Sequence, residues 1–323
     1  MKWYYTCNNK TFTSKIKAIN ENVDSGHGVF FNANPTWDNF NFSIEPETSW
    51  YNLLKQEAKY IRDSYSHIRL WYSGGADSHL VLQSFVDNNI HVDEICCMKS
   101  GIGDADYEIN EYAIKQIKKY NLQKTKITII EPDADDYTNY YSTNWINKDM
   151  PEWNYHFRMI YHNNLSMDHN RKKNSINVFG AEPPRLIYKN NKWYMYFMDA
   201  DIEESFNKYN FFVENPILHA KQCHMLLNAI KKFKMPHEYN EICHTPLHEE
   251  FCRKHTGRFD NANMFPRKIE YWGQKEKNYL TLGDKKIFFT SKKESNALKI
   301  ILNDAPNLLK NWYSGLEEMY VQK

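Results

Sequence analysis

The sequence predicts an α/β protein built on a doubly wound parallel sheet. Strand-like and helix-like segments alternate along the first half of the chain, which is typical of parallel sheets because each crossover needs a connecting helix. Strands are expected at residues 68–72, 94–98, 126–130 and 175–179. Helices are expected between them, at residues 78–87, 108–120 and 155–167.

The chain is expected to divide into three parts. Residues 1–66 form a small N-terminal β cap with strand-like segments at 29–31 and 40–44, followed by a lead-in helix from Leu53 to Tyr65. Residues 67–200 form the α/β domain, which ends in an aromatic hairpin near 185–197. Residues 201–323 are expected to be mostly helical, with a second hairpin at 279–290.

Composition excludes several classes of protein. The 323 residues carry 41 basic and 40 acidic side chains, so no strong basic field is present for gripping nucleic acid through bulk charge. A hydrophobic content of 41% excludes a disordered chain. No apolar run is long enough to span a membrane, the N-terminus lacks a signal-peptide pattern, and the six cysteines show no disulfide spacing. A cytoplasmic protein with no membrane partner is therefore expected.

The strongest local motif is the turn from Tyr72 to Ser78, which follows a predicted strand and opens a predicted helix. Its two glycines allow a tight turn and close approach to a ligand. The serine hydroxyls and the N–H groups at the helix start can hold phosphate oxygens. Because Asp77 would repel a phosphate, we expect a Mg²⁺ ion to bridge the two. The alternative is a plain helix-capping turn.

Residues 73–78 match the Ser-Gly-Gly-x-Asp-Ser motif, and the chain here resembles the PP-loop ATP pyrophosphatase superfamily, the N-type adenine nucleotide alpha hydrolases with a HUP-like fold. The resemblance covers about residues 67–182. It implies ATP and Mg²⁺ as cofactors and cleavage of ATP between its α and β phosphates. The pyrophosphate and the metal would be bound by the motif residues Ser73, Gly74, Gly75, Asp77 and Ser78. Adenine would be held at the end of the second strand, at Cys97 and Met98, with a contribution from Tyr72. Ordinary core packing is an equally good explanation of Met98.

The family chemistry adenylates a carbonyl or carboxylate oxygen of a second substrate, and ammonia or another nucleophile then displaces AMP. The residues favour the asparagine synthetase-like or preQ0 synthase-like branch, with no glutaminase domain and therefore free ammonia or a separate ammonia donor. Alternatives are a sulfur-transfer or sulfonucleotide-reductase-like enzyme, a tRNA or DNA base-modifying enzyme, and a nucleotide-binding protein without turnover. The sulfur chemistries are disfavoured because no CxxC pair exists and no cysteine follows Cys252.

Further candidate catalytic residues follow the fourth strand and lie late in the chain. Glu182 is a candidate metal or substrate ligand, and Arg185 a candidate anion-binding group, because strand ends face the ligand crevice in such sheets. Lys268, beside Arg267, is a candidate for binding the pyrophosphate leaving group by analogy with the family. The alternatives are a salt-bridged surface loop for the first pair and a solvated surface for Lys268.

Two further expectations concern zinc and the second substrate. Cys243, His248, Cys252 and His255 would supply two thiolates and two imidazoles for a zinc ion, although ordinary helix residues are the favoured reading of this cluster. The aromatic hairpin at 188–197 would form a wall for a flat, nucleobase-like small molecule, and packing explains it equally well.

Overall fold

The computed structural model describes the chain in stretches separated by gaps. The stretches are residues 4–12, 18, 21–22, 25–32, 35–99, 108–120, 122–131, 174–180, 185–189, 192–196, 208–233, 251, 254–256, 279–282 and 285–288. Their strands are β1 (Tyr4–Cys7), β2 (Lys10–Phe12), β3 (Phe30–Asn32), β4 (His67–Trp71), β5 (Glu94–Met98), β6 (Lys126–Ile130), β7 (Ser175–Phe179), β8 (Arg185–Lys189), β9 (Lys192–Tyr196), β10 (Lys208–Asn210), β11 (Tyr279–Leu282) and β12 (Lys285–Phe288). Their helices are α1 (Pro35–Asp38), α2 (Trp50–Ser64), α3 (Ala76–Val86), α4 (Ile114–Lys119), which a π-helical stretch (Glu108–Ala113) precedes, and α5 (Pro216–Lys232).

The central element is a five-stranded parallel sheet in the order β10-β7-β4-β5-β6. The chain runs outward from β4 to β5 and β6, and then returns to the other side of β4 to form β7 and β10. The direction of strand addition therefore reverses between β4 and β7. The predicted parallel sheet is confirmed, and β5, β6 and β7 have the predicted bounds. The strand β10 was not predicted, because three residues are too short to show an alternating pattern.

The two faces of this sheet differ in chemistry because successive side chains of a strand point to opposite sides. One face is apolar and packs with α2, α3 and the helical segment 108–119 into the main core. This face carries Ile68, Leu70, Ile95, Cys97, Ile176 and Val178. The other face carries polar and aromatic side chains, which include Arg69, Trp71, Glu94, Cys96 and Asn177. The apolar face fixes the position of the helix that follows β4.

The helix α2 leads into β4 and shows why this region folds as predicted. Ser49 caps it by accepting a hydrogen bond from the Asn52 N–H at 3.3 Å. Its buried side chains are Leu53, Leu54, Glu57, Ala58 and Ile61. The predicted helix is confirmed, although it starts three residues earlier than the expected Leu53.

The N-terminal residues form a small antiparallel sheet in the order β2-β1-β3, in which β3 overlaps the strand predicted at 29–31. Its buried Tyr5 shares a cluster with Trp37 and with Val213, which lies just before α5. The strand expected at 40–44 is wrong. Asn41 accepts hydrogen bonds through its side chain from the N–H (3.1 Å) and hydroxyl (2.6 Å) of Ser43, and this local turn competes with extended backbone.

Both predicted hairpins are confirmed, as the antiparallel pairs β8–β9 and β11–β12. The turns of these hairpins, the helix expected at 155–167, and most of the C-terminal part lie outside the described residues. Double winding and the three-part division therefore stay predictions. The main core includes residues from all three expected parts (1–66, 67–200 and 201–323), since it contains residues of α2 and also Phe211 and Phe212. None of the helices in the described stretches is long and apolar enough to cross a membrane.

Candidate functional site

The loop between β4 and α3 lies at the carboxyl edge of the sheet, where the strand order reverses. The Tyr72 N–H donates to the Cys96 carbonyl oxygen at 2.8 Å, so the sheet ladder continues one residue beyond β4. The chain then turns at Gly74, whose φ of +79° is a left-handed conformation that side chains rarely adopt. Helix α3 begins two residues later, which gives the strand–turn–helix context that the sequence predicted.

Hydroxyl groups close this loop from the inside. The Ser73 and Ser78 hydroxyl oxygens lie 3.1 Å apart, and the Ser73 N–H donates to the Ser78 hydroxyl at 3.2 Å. The Gly75 N–H donates to the Ser73 hydroxyl at 3.2 Å, and the Ser78 hydroxyl donates to the Gly75 carbonyl at 3.1 Å. The loop is therefore folded by its own side chains, with its two serines side by side.

The start of α3 provides backbone donors at this edge. The first hydrogen bond of the helix runs from the His79 N–H to the Gly75 carbonyl at 2.9 Å, so the amides of the preceding turn have no acceptor inside the helix. The capping residue, Gly75, has no side chain to satisfy them. The half-buried Asp77 adds a carboxylate to this first turn. An anion can bind such amides, and a hard cation can bind such a carboxylate.

The end of β7 approaches this loop closely. A Cβ atom added to Gly180 would lie 2.8 Å from the carbonyl carbon and oxygen of Asp77 and 2.8 Å from the Cα of Ser78. Real Cβ atoms essentially never come this close to backbone atoms. Glycine is therefore needed at this position for β7 to pack beside the first turn of α3, a contact that no sequence pattern indicates across about a hundred residues.

Beneath the loop, Tyr72 is joined to the helix by a buried hydrogen bond. Its side chain is 2% exposed, and its hydroxyl lies 2.9 Å from the Nδ1 atom of His79. The Nε2 atom of His79 lies 3.4 Å from the Tyr120 hydroxyl, just past the end of α4. Burial raises the pKa of Tyr72 well above its usual range, so the phenol stays protonated. The side chain of Tyr72 thus lies in the core, and its predicted part in ligand binding stays a prediction.

The end of β5 lies next to the loop, because β4 and β5 are neighbours. Cys97 and Met98 are both buried, on opposite faces of the sheet. The following residue, Lys99, donates its N–H to the Ile130 carbonyl at 2.8 Å and its ammonium group to Glu131 at 3.2 Å. Adenine binding at Cys97 and Met98 would therefore use their backbone atoms, and it stays a prediction.

The polar face of the sheet holds a network of charged groups below the loop. Glu94 is 1% exposed and accepts hydrogen bonds from Thr128 and from Arg69, with Lys126 at 3.2 Å. Burial by itself would raise the pKa of Glu94, but these donors and cations outweigh burial and hold the pKa at about 2. Burial also raises the pKa of Cys96 to about 12, so this thiol is a poor source of thiolate at neutral pH.

An aromatic pair lies on the same face beside that network. The rings of Trp71 and Phe179 are nearly parallel, at 7° with centroids 5.7 Å apart, and the Trp71 indole N–H donates to the Asn177 side-chain oxygen at 3.0 Å. This pair joins β4 to β7 directly beneath the point where the loop leaves the sheet.

Other predicted site residues are only partly described. Arg185 is the first residue of β8, where its backbone pairs with Tyr196. The centroid of the His255 ring lies 4.5 Å from that of Phe251 and 4.9 Å from that of Phe233. Burial lowers the pKa of His255, and the positive charges of nearby lysines lower it further. The remaining predicted residues lie outside the described stretches; they are Glu182, Lys268, Cys243, His248 and Cys252. Within those stretches, no group of three or more His, Cys, Asp or Glu side chains could hold a metal ion, so nothing described supports zinc.

Comparison with known proteins gives a distant likeness. No model of a protein family and no curated protein matches the chain. Among solved structures, the chain is similar to the NH3-dependent NAD synthetase from Campylobacter jejuni subsp. jejuni NCTC 11168 in complex with the nitrate ion. The TM-score is 0.35 and the identity 14%, over 65% of this chain and 95% of that chain.

Proposed function

We propose that the protein is an ATP-dependent enzyme of the PP-loop class, which forms AMP and pyrophosphate while it adenylates an oxygen atom of a second substrate. The observation that carries the proposal is the position of the Ser73–Ser78 motif. The motif follows β4 at the point where the strand order reverses, and ligands bind at this point in open parallel α/β sheets.

The loop is suited to the pyrophosphate part of ATP. The amides of the first turn of α3 point toward the carboxyl edge, and the helix dipole favours negative charge there. The hydroxyls of Ser73 and Ser78 lie 3.1 Å apart and can exchange their mutual contact for phosphate oxygens. The left-handed turn at Gly74 and the close approach of Gly180 to the backbone of Asp77 and Ser78 both depend on glycine.

The half-buried carboxylate of Asp77 fits a Mg²⁺ ion. Magnesium prefers oxygen ligands and is usually held by one or two carboxylates together with substrate phosphates and water. When bound, the ion would neutralise charge on the phosphates that Asp77 alone would repel. Adenine is assigned to the backbone at the end of β5, at Cys97 and Met98, because this strand end adjoins the loop.

The proposed reaction has two steps. A carbonyl or carboxylate oxygen of the second substrate attacks the α-phosphorus, and the bond between that phosphorus and the α–β bridging oxygen breaks. Pyrophosphate leaves with the bonding electrons, and the loop stabilises the charge that develops on it. A nucleophile such as ammonia, free or from a separate donor, then displaces AMP. Arg185 and Glu182 are proposed for the second substrate, and Lys268 for the leaving pyrophosphate.

The buried cysteines of the sheet bear on which nucleophile displaces AMP in the second step. Cys96 and Cys97 are buried at 1% and 0% exposure, and the raised pKa of Cys96 keeps it a thiol. These properties oppose a sulfur-transfer role for either residue and favour ammonia chemistry of the asparagine synthetase-like or preQ0 synthase-like kind. The second substrate is proposed to be a small, flat molecule.

The test combines binding with product analysis. Wild-type protein should bind Mg–ATP in calorimetry, and with a small-molecule cell extract it should release AMP and pyrophosphate in equal amounts. Ser73→Ala and Asp77→Ala should weaken binding and abolish turnover. Ser84→Ala is the matched control, because it removes a buried hydroxyl that donates to the Leu80 carbonyl on the same helix, away from the loop.

The outcomes separate the alternatives. ADP and phosphate as products, or binding that the loop variants leave unchanged, would refute the proposal. Binding without turnover across a broad substrate screen would indicate a non-catalytic nucleotide-binding protein. Turnover only with tRNA or DNA, together with salt-sensitive binding, would indicate a base-modifying enzyme.

A further inference from the structure

We propose that His79 is a positioning residue that preorganises the loop at residues 73–78 for phosphate binding. This inference rests on the function proposed above. His79 lies in the first turn of α3. It lies beneath the loop, 5% exposed, and joins the residue before the loop to a helix end elsewhere in the fold.

Tyr72 and His79 bracket the loop in the sequence and in the structure. Tyr72 immediately precedes Ser73, and His79 immediately follows Ser78. Their side chains meet at 2.9 Å, between the tyrosine hydroxyl and Nδ1, outside the inner contact of the two serine hydroxyls. The loop is thus closed twice, and the outer closure is the buried one.

This closure is anchored on both sides. On the sheet side, the Tyr72 N–H donates to the Cys96 carbonyl at 2.8 Å. On the helix side, the Nε2 atom of His79 lies 3.4 Å from the Tyr120 hydroxyl, and the two rings stack at 26° with centroids 6.1 Å apart. Rotation of either side chain away from the other would break a buried hydrogen bond.

The chemistry of imidazole suits this role. A neutral imidazole has one donor and one acceptor nitrogen, so one tyrosine hydroxyl donates to His79 and the other accepts from it. Each hydroxyl rotates to match. A leucine of similar size would fill the space but satisfy neither hydroxyl, and an asparagine would reach Tyr72 but not Tyr120.

This closure lowers the conformational entropy that the loop loses when it binds a nucleotide. A loop that is already closed loses little conformational freedom when it binds phosphate, whereas an open loop must lose that freedom on binding. Loss of the Tyr72–His79 hydrogen bond should therefore weaken Mg–ATP binding by about tenfold, which is the size expected from one buried hydrogen bond.

The experiment compares His79→Leu with His79→Asn in the full chain. His79→Leu removes both hydrogen bonds of His79, whereas His79→Asn keeps the one to Tyr72, so the stability of both variants is measured by urea unfolding beside that of Phe85→Leu, which shortens a core side chain of the same helix. Mg–ATP affinity should fall by about tenfold in His79→Leu, by less than about threefold in His79→Asn, and hardly at all in Phe85→Leu. A purely structural role would make affinity follow stability across the three variants, so that Phe85→Leu would lose as much affinity as an equally destabilised His79 variant, and that result would overturn the inference.

A second readout does not depend on ATP. Hydrogen–deuterium exchange of the amides at 73–76 in the free protein should accelerate by about tenfold in His79→Leu, and should be unchanged in Ser84→Ala. Equal exchange in wild type and His79→Leu would overturn the inference. If wild type binds no Mg–ATP, the proposed function fails, while the exchange result still decides the role of His79. If His79→Leu does not fold, Tyr72→Phe takes its place in the experiment. This variant removes only a hydroxyl and should give the same acceleration.

Discussion

Replacing Gly180 by alanine should separate the end of β7 from the start of α3. The new Cβ would lie 2.8 Å from backbone atoms of Asp77 and Ser78, and backbone atoms cannot rotate aside as a flexible side chain can. The two segments must move apart by roughly half an ångström or more to restore ordinary contact. Overpacking of this kind costs about 1–3 kcal/mol of folding stability. Because the movement falls on the first turn of α3, Mg–ATP affinity should drop by at least about tenfold.

Urea unfolding and calorimetric titration with Mg–ATP would measure the two effects of Gly180→Ala. The control is Gly26→Ala, which adds the same methyl group where no atom lies within 4 Å. Since Gly26 has a φ of +68°, this control should cost about 1 kcal/mol of stability through backbone strain and leave nucleotide binding unchanged. Wild-type stability and affinity in Gly180→Ala would refute the close approach of β7 to the loop.

Three other predictions test the surroundings of the site. Asp77→Asn should remove most of the Mg²⁺ dependence of ATP binding in titrations with and without the ion, and an unchanged dependence would place the ion elsewhere. The pKa of Glu94 is held at about 2, below its ordinary 4.5, so its contribution is present above pH 4.5 and is lost as the pH falls toward 2. Glu94→Gln should therefore lower the free energy of unfolding by about 2–3 kcal/mol at pH 7, with the difference narrowing below pH 4.5; a pH-independent difference would contradict this. Tyr209→Phe should cost about 1–3 kcal/mol, because the Tyr209 hydroxyl donates to the buried carboxylate of Glu57, whereas Tyr60→Phe at an exposed ring should cost almost nothing in the same urea unfolding assay.

The sheet was predictable where its strands have strong local patterns. The segments at 94–98, 126–130 and 175–179 are rich in apolar and β-branched residues and are bounded by polar turns, and the structure has the same bounds. The segment at 40–44 alternates apolar and polar residues as a strand would. The side-chain oxygen of Asn41, however, accepts a hydrogen bond from the Ser43 N–H, and the segment forms a turn. Local side-chain hydrogen bonds of this kind are not visible in hydrophobic patterning.

The geometry of the candidate site was predictable only in its local part. The loop at 73–78 could be read from the sequence because two glycines, two serines and a helix start are contiguous. The contact of Gly180 with Asp77 and the hydrogen bond between His79 and Tyr120 join residues far apart in the chain. Such contacts depend on which strands become neighbours, and the strand order appears only in the folded sheet.

We propose above all that the loop between β4 and α3 holds the phosphates of ATP. A crystal structure of the protein with Mg²⁺ and an ATP analogue carrying a methylene bridge between the α and β phosphates would test this claim directly. We expect β- and γ-phosphate oxygens within hydrogen-bonding distance of the Ser73 and Ser78 hydroxyls and of the first amides of α3, with Mg²⁺ between the phosphates and Asp77. Phosphates bound away from this loop, with the loop unchanged, would contradict it.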